Sequence, residues 1–174
     1  DNIQEELVKS GKTDAEIENE KINWYNHDAK RIYLPNSFDF RLKTIGVFTN
    51  MEIINKALDK LIEKMDNIKE NTMNGKYKFT DKDNSMLNCM DVHLEGETYT
   101  TGKVIEYILH RDYYQNGNTL GYVGFIKKHP HDRHSVLRLA FNDSSEYNQE
   151  NIKSLLCYAC EVSKKMYLNL KEYF

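Results

Sequence analysis

Three histidines crowd one short stretch, His129-Pro130-His131-Asp132-Arg133-His134. Imidazoles with a nearby carboxylate are zinc-ligand types, so His129, His131 and His134 with Asp132 could hold a metal. A small metal-dependent hydrolase is therefore one expectation. A polar loop joining two strands accounts for the same residues, with Pro130 fixing a turn. Cys157 and Cys160 form a second candidate, Cys-Tyr-Ala-Cys. Redox pairs of that spacing sit at a helix N-terminus, where the dipole lowers the thiol pKa. This pair falls well inside a helical pattern, and only Cys89 remains as a further sulfur ligand, so buried apolar cysteines are expected. Glu95 and Glu97 flank Gly96 at the spacing of one strand face, which suits an acid/base pair. No nucleophile or cofactor motif accompanies them, and a structural role at a helix start is expected. There is no phosphate-binding glycine loop, dinucleotide fingerprint or nucleophile elbow. The chain is thus expected to be a non-enzyme, without catalytic residues, metal or cofactor.

The elements that would position these residues follow from periodicity. Residues 1–30 are polar and helix-forming. Thr13 with Glu16 makes a capping box, and Asp14 to His27 reads as a helix with a thin apolar stripe. Phe38, Phe40, Leu42 and Thr44 alternate with Asp39, Arg41 and Lys43, which predicts a strand with one buried face, closed by Gly46. Asn50 is the predicted cap of the next helix. There Ile53, Ile54, Ala57, Leu58, Leu61, Ile62 and Met65 recur at three- and four-residue spacing. The polar stretch 66–78, with a turn signal at Asn74-Gly75, sets a predicted domain boundary, giving 1–75 and 76–174. The second part reads as strand, helix, strand, strand and a long helix from about Gln149 to Tyr173. Its first strand carries Val92 and Leu94. Ile152, Leu155, Leu156, Ala159, Val162, Met166 and Leu170 line one side of the last helix. A helix of that length overhangs a small sheet, so part of its stripe is expected to meet a second module.

Composition narrows the function classes. At 174 residues the chain holds one or two small domains. Its net charge is −3 with both signs interleaved, which argues against affinity built on phosphate neutralisation and against sequence-specific nucleic-acid binding. Three cysteines do not make a disulfide framework. No apolar run reaches membrane-span length and no signal peptide opens the chain, so no membrane partner and an intracellular, reducing location are expected. The start at Asp1 rather than Met leads to the expectation that more sequence precedes it.

The ordered motifs carry a resemblance. Asp28-Ala29-Lys30-Arg31, Pro35-Asn36-Ser37-Phe38-Asp39-Phe40, Thr44-Ile45-Gly46 and the helix to Met65 resemble the C-terminal part of the third-largest-subunit family of multisubunit RNA polymerases. Glu95-Gly96-Glu97, Thr100-Thr101-Gly102-Lys103, Gly124-Phe125, His129-Pro130, Val136-Leu137-Arg138-Leu139 and the long helix resemble the eleventh-subunit family. Thr101, Lys103 and Phe125 depart from the Leu, Asn and Tyr usual in that pattern. Eukaryotic and archaeal polymerases carry the resembling segments on two separate polypeptides. The two halves in one chain are similar to the fused arrangement of large nucleocytoplasmic DNA viruses, such as African swine fever virus.

The resemblance implies an α+β fold in which two related strand–helix modules pack as a pseudo-dimer, like the bacterial alpha-type platform. It implies a non-catalytic assembly subunit of a viral DNA-directed RNA polymerase, whose partners are the largest and second-largest subunits and other polymerase subunits. The host cytoplasm, at viral factories, and the virion would be its locations. Fusion would make dimerisation intramolecular, at an effective concentration of about millimolar for a short linker. The family's zinc site lies upstream of Asp28, and none of its ligands is carried over. The expected interface comprises Ile53, Ile54, Ala57, Leu58, Leu61 and Ile62 on one helix and Ile152, Leu155, Leu156, Ala159 and Met166 on the other, packed across the pseudo-dimer. Phe38, Phe40, Thr100, Gly102 and Lys103 are expected to face the large subunits. A stand-alone dimerisation module, without a polymerase, is the remaining alternative.

Overall fold

A computed structural model describes residues 11–81 and 86–174. The expectation of helix-forming sequence over residues 1–10 lies outside them. The chain divides into two compact units after Leu42.

In the first unit, α1 spans Asp14–Asn26. The predicted capping box forms: the Thr13 main-chain N–H donates to Glu16 Oε2 at 2.8 Å. Hydrogen bonds from Thr13 hold the Glu16 carboxyl below its ordinary pKa. Ile17 is the only buried residue of α1, as a stripe this thin allows. A short 3-10 turn follows at Ala29–Arg31.

The predicted strand over 38–45 does not form. Phe38 and Phe40 are 73% and 92% exposed, and Ile45 protrudes further still. Alternation provides a face, but a strand also needs a neighbour to bond its main chain. No strand pairs with this segment among the described residues. Thr44 instead staples a turn at the start of the second unit: its hydroxyl donates to Phe48 O at 2.5 Å and accepts from Gly46 N at 3.1 Å. Gly46 adopts φ +96° there, which a side chain would resist.

The second unit opens with α2, Asn50–Met73. Its cap is Thr49, not Asn50: Thr49 Oγ1 accepts from Glu52 N at 3.2 Å, and Thr49 N donates to Glu52 Oε2 at 2.8 Å. The helix runs past Met65 because Ile68 and Thr72 continue its buried side. The polar residues of 66–73 are its outward face rather than a linker. That is why α2 belongs to the same compact unit as the strands, and the division falls at Leu42 instead of residue 75.

Next come β1 (Lys78–Asp81), β2 (Cys89–Glu95), α3 (Tyr99–Leu109) with a π-helical extension His110–Gln115, β3 (Leu120–Ile126), β4 (His134–Phe141) and α4 (Gln149–Lys171). β1 has no counterpart among the elements expected from periodicity. The four strands form one antiparallel sheet in the order β1-β2-β4-β3. Val92 lies opposite Leu137, and Phe125 lies opposite Leu137 on the other side. These residues share one sheet face. With Leu94, Leu139, Ile105, Ile152 and Leu156 they make the core.

The architecture is thus α+β, a four-stranded antiparallel sheet packed with helices and ending in a long helix. Among the described residues there is one sheet, and all four strands belong to it.

Candidate assembly interface

α2 and α4 lie side by side and antiparallel. Asp59 pairs with Lys171 at 2.5 Å, Asp66 with Lys164 at 2.7 Å, and Lys69 with Glu161 at 2.6 Å. Each step of seven or three residues along α2 is matched by an equal step backward along α4. The two helices are therefore in helical register over the second half of α4. At 23 residues, α4 is about 34 Å long, more than the sheet can cover.

This geometry splits the expected interface. Ile152, Leu155, Leu156 and Ala159 are buried in the unit's own core, because the first half of α4 rests on the sheet. Leu58 is buried too. Ile53, Ile54, Leu61 and Ile62 are only half-buried, and Ala57 is exposed. At the same end of the pair, Met166, Leu168 and Leu170 are exposed. The first half of α2 and the last turns of α4 together present apolar side chains to water. A surface of this kind marks an interaction site more often than an isolated exposed leucine does.

The start of α3 also divides. Thr100 and Lys103 are on the surface, and Lys103 pairs with Glu106 at 2.6 Å. Thr101 is buried, and its hydroxyl donates to Glu97 Oε2 at 2.7 Å. Gly102 is buried as well: a Cβ there would stand 2.1 Å from the Phe125 ring. It is a packing residue, and does not join Thr100 and Lys103 on the surface. Glu97 also lies 3.7 Å from Lys64 on α2, whereas Glu95 is exposed at the end of β2. Of the two glutamates, Glu97 takes the structural role, holding Thr101 and facing Lys64.

The three histidines do not form a ligand cluster, although the rings of His129 and His131 lie 5.2 Å apart. His131 N donates to His129 Nδ1 at 3.2 Å, and His129 N donates to Asp132 Oδ2 at 3.1 Å. These bonds close the loop on itself. His134 begins β4, its ring 5.6 Å from that of His93. Among the described residues no three His, Cys, Asp or Glu side chains are grouped to hold a metal. The cysteines are free. Burial pushes the Cys160 thiol up to about 12 and raises Cys157 and Cys89, which keeps them protonated and unreactive.

One pair is not apparent from the sequence. Arg138 on β4 donates Nε and Nη2 to the two carboxylate oxygens of Asp91 on β2, at 2.7 and 2.9 Å. They lie on the sheet face opposite the core. Nearby, Thr80 Oγ1 and His93 Nε2 are 2.9 Å apart. The available signal was a charged residue inside each of two apolar runs. Hydrogen bonding to Asp91 keeps the Arg138 guanidinium charged, its pKa raised.

No family model matches the chain, and no curated protein matches it. Among the described residues, no helix is long and apolar enough to cross a membrane.

Proposed function

We propose that this chain is a non-catalytic assembly subunit of a multisubunit DNA-directed RNA polymerase of a large DNA virus. In this reading it is the scaffold on which the two largest subunits assemble, at viral factories and in the virion. The proposal includes the finer fold relationship, a pseudo-dimer of the polymerase alpha type, with α2 in one half and the sheet and α4 in the other.

The observation that carries it is the α2–α4 pair. Two long helices are locked in antiparallel register, yet at one end they leave Ile53, Ile54, Leu61, Met166, Leu168 and Leu170 partly in water. A binding role explains that better than a catalytic one, and the exposed, alternating Phe38–Phe40 segment fits it too. The ordered motifs from Pro35 to His129-Pro130 supply the family.

The test is affinity purification of the tagged full-length protein from native or infected cells, with mass spectrometry of what accompanies it. Two large polymerase subunits in near-equal amount are expected. The chain alone, or only with itself, would sink the assembly reading.

A further inference from the structure

The two edges of the sheet are unlike each other. β1 is four residues long with Lys78 and Asp81 at its ends, a short charged edge of the kind that deters pairing. β3 is seven residues, Leu120 to Ile126, with no charged residue and no proline.

The outer side of β3 is unsatisfied. Just past the strand, the Tyr99 hydroxyl accepts from Lys127 N and donates to Lys127 O, both at 3.2 Å. The main-chain groups of Lys127 thus point away from β4. Polar groups alternate sides along a strand, so the N–H and C=O of Val123 and Phe125 point the same way. No hydrogen bond to them is formed outside the β4 ladder among the described residues. The side chains of both residues are buried in the core, which fixes the strand in place and leaves its outer main-chain edge as a template for a further strand. A groove of about 660 Å3 runs beside them, walled by Tyr99, Lys103 and Glu106 of α3. On the open sheet face Tyr122 and Ile126 flank it, 40% and 50% exposed.

We propose that the outer edge of β3 is a strand-accepting site, completed by an extended segment of one of the two large polymerase subunits. This rests on the assembly reading above. Chemistry restricts the occupant. It must be extended, with free main-chain groups opposite Val123 and Phe125, so proline is excluded there. Alternate apolar side chains would cover Tyr122 and Ile126. Lys127 and Lys128 have no ion pair among the described residues, so a carboxylate suits that end of the segment.

Amide hydrogen exchange tests this on the full chain, alone and in the complex purified from its native source. In the isolated chain the Val123 and Phe125 amides should exchange faster than the ladder amides of β4. In the complex they should slow by at least about tenfold. Ile126→Lys should melt like the wild type, because its side chain is half exposed, and should lose large-subunit co-purification. Fast Val123 and Phe125 exchange within an intact polymerase complex, or unchanged assembly of Ile126→Lys, overturns the strand site and leaves the assembly reading standing. Slow exchange of these amides in the isolated chain overturns it as well. If no polymerase subunit accompanies the wild type, the assembly reading fails and this occupant fails with it.

Discussion

Lys164 of α4 donates to both carboxylate oxygens of Asp66 of α2, at 2.8 and 2.7 Å. Two helices nearly a hundred residues apart in sequence are held at a defined register there. Both side chains remain 38% and 50% exposed, so the pair aligns the helices more than it stabilises them. An exposed pair of this type is worth about 0–1 kcal/mol. Lys164→Ala is accordingly expected to lower the unfolding free energy by no more than about 1 kcal/mol, less at high salt. Leu156→Asp, in the core beneath, should cost about 3 kcal/mol or more, because it buries a charge without a partner. Denaturant melts of the two variants compare them directly. An equal loss would mean that the ion pair, and not the core, governs the helix seam.

Gly102 is expected to tolerate no side chain. Gly102→Ala drives a methyl into the Phe125 ring, and overpacking of this kind costs about 1–3 kcal/mol. Phe125→Leu removes ring atoms from the clash, so the double variant should be less destabilised than the two single losses added. Additive losses in the double-mutant cycle would place the cause elsewhere.

Alkaline pH should destabilise the fold through two buried acids. Burial raises Cys160 from 9.0 to about 12 and Tyr77 from 10.0 to about 12. Both are neutral when protonated, and the folded state holds the proton more tightly. The stability they lend is complete below about pH 9 and is lost as pH rises toward 12. Unfolding midpoints at pH 8, 9.5 and 11 should fall in that order. Cys160→Ala should flatten the slope, and a slope unchanged in that variant would remove Cys160 from the account.

The distal helix surface should separate stability from assembly. Leu168 and Leu170 are each about half exposed, and substitutions at such sites usually stay within about 0.5 kcal/mol. Leu168→Glu with Leu170→Glu is expected to melt like the wild type while co-purification of the large subunits falls. Loss of the fold itself would show that these leucines are packed inside the unit.

Helices are largely legible in the amino-acid sequence, and the reason is local. Apolar residues at three- and four-residue spacing, from Ile152 to Leu170, need no knowledge of the rest of the chain to be read as one helix face. Thr13 with Glu16 announces α1 in the same way. The mid-helix position of Cys157 and Cys160, and so their inertness, follows from that periodicity alone. Alternation of Leu137, Leu139 and Phe141 likewise announces β4.

What depends on a partner distant in sequence was decided only by tertiary structure. A strand exists through its neighbour, so the alternating 38–45 segment stays irregular while Lys78–Asp81, which shows little pattern, becomes β1 against β2. Asp91 and Arg138 are ordinary charges until the β2–β4 register sets them opposite each other. Gly102 reads as part of an exposed helix start until Phe125 closes over it. Which apolar residues are core and which are left for a partner is of the same kind. Leu156 and Leu170 sit on one side of one helix with the same chemistry, and the limited extent of the sheet beneath α4 buries one and leaves the other half in water.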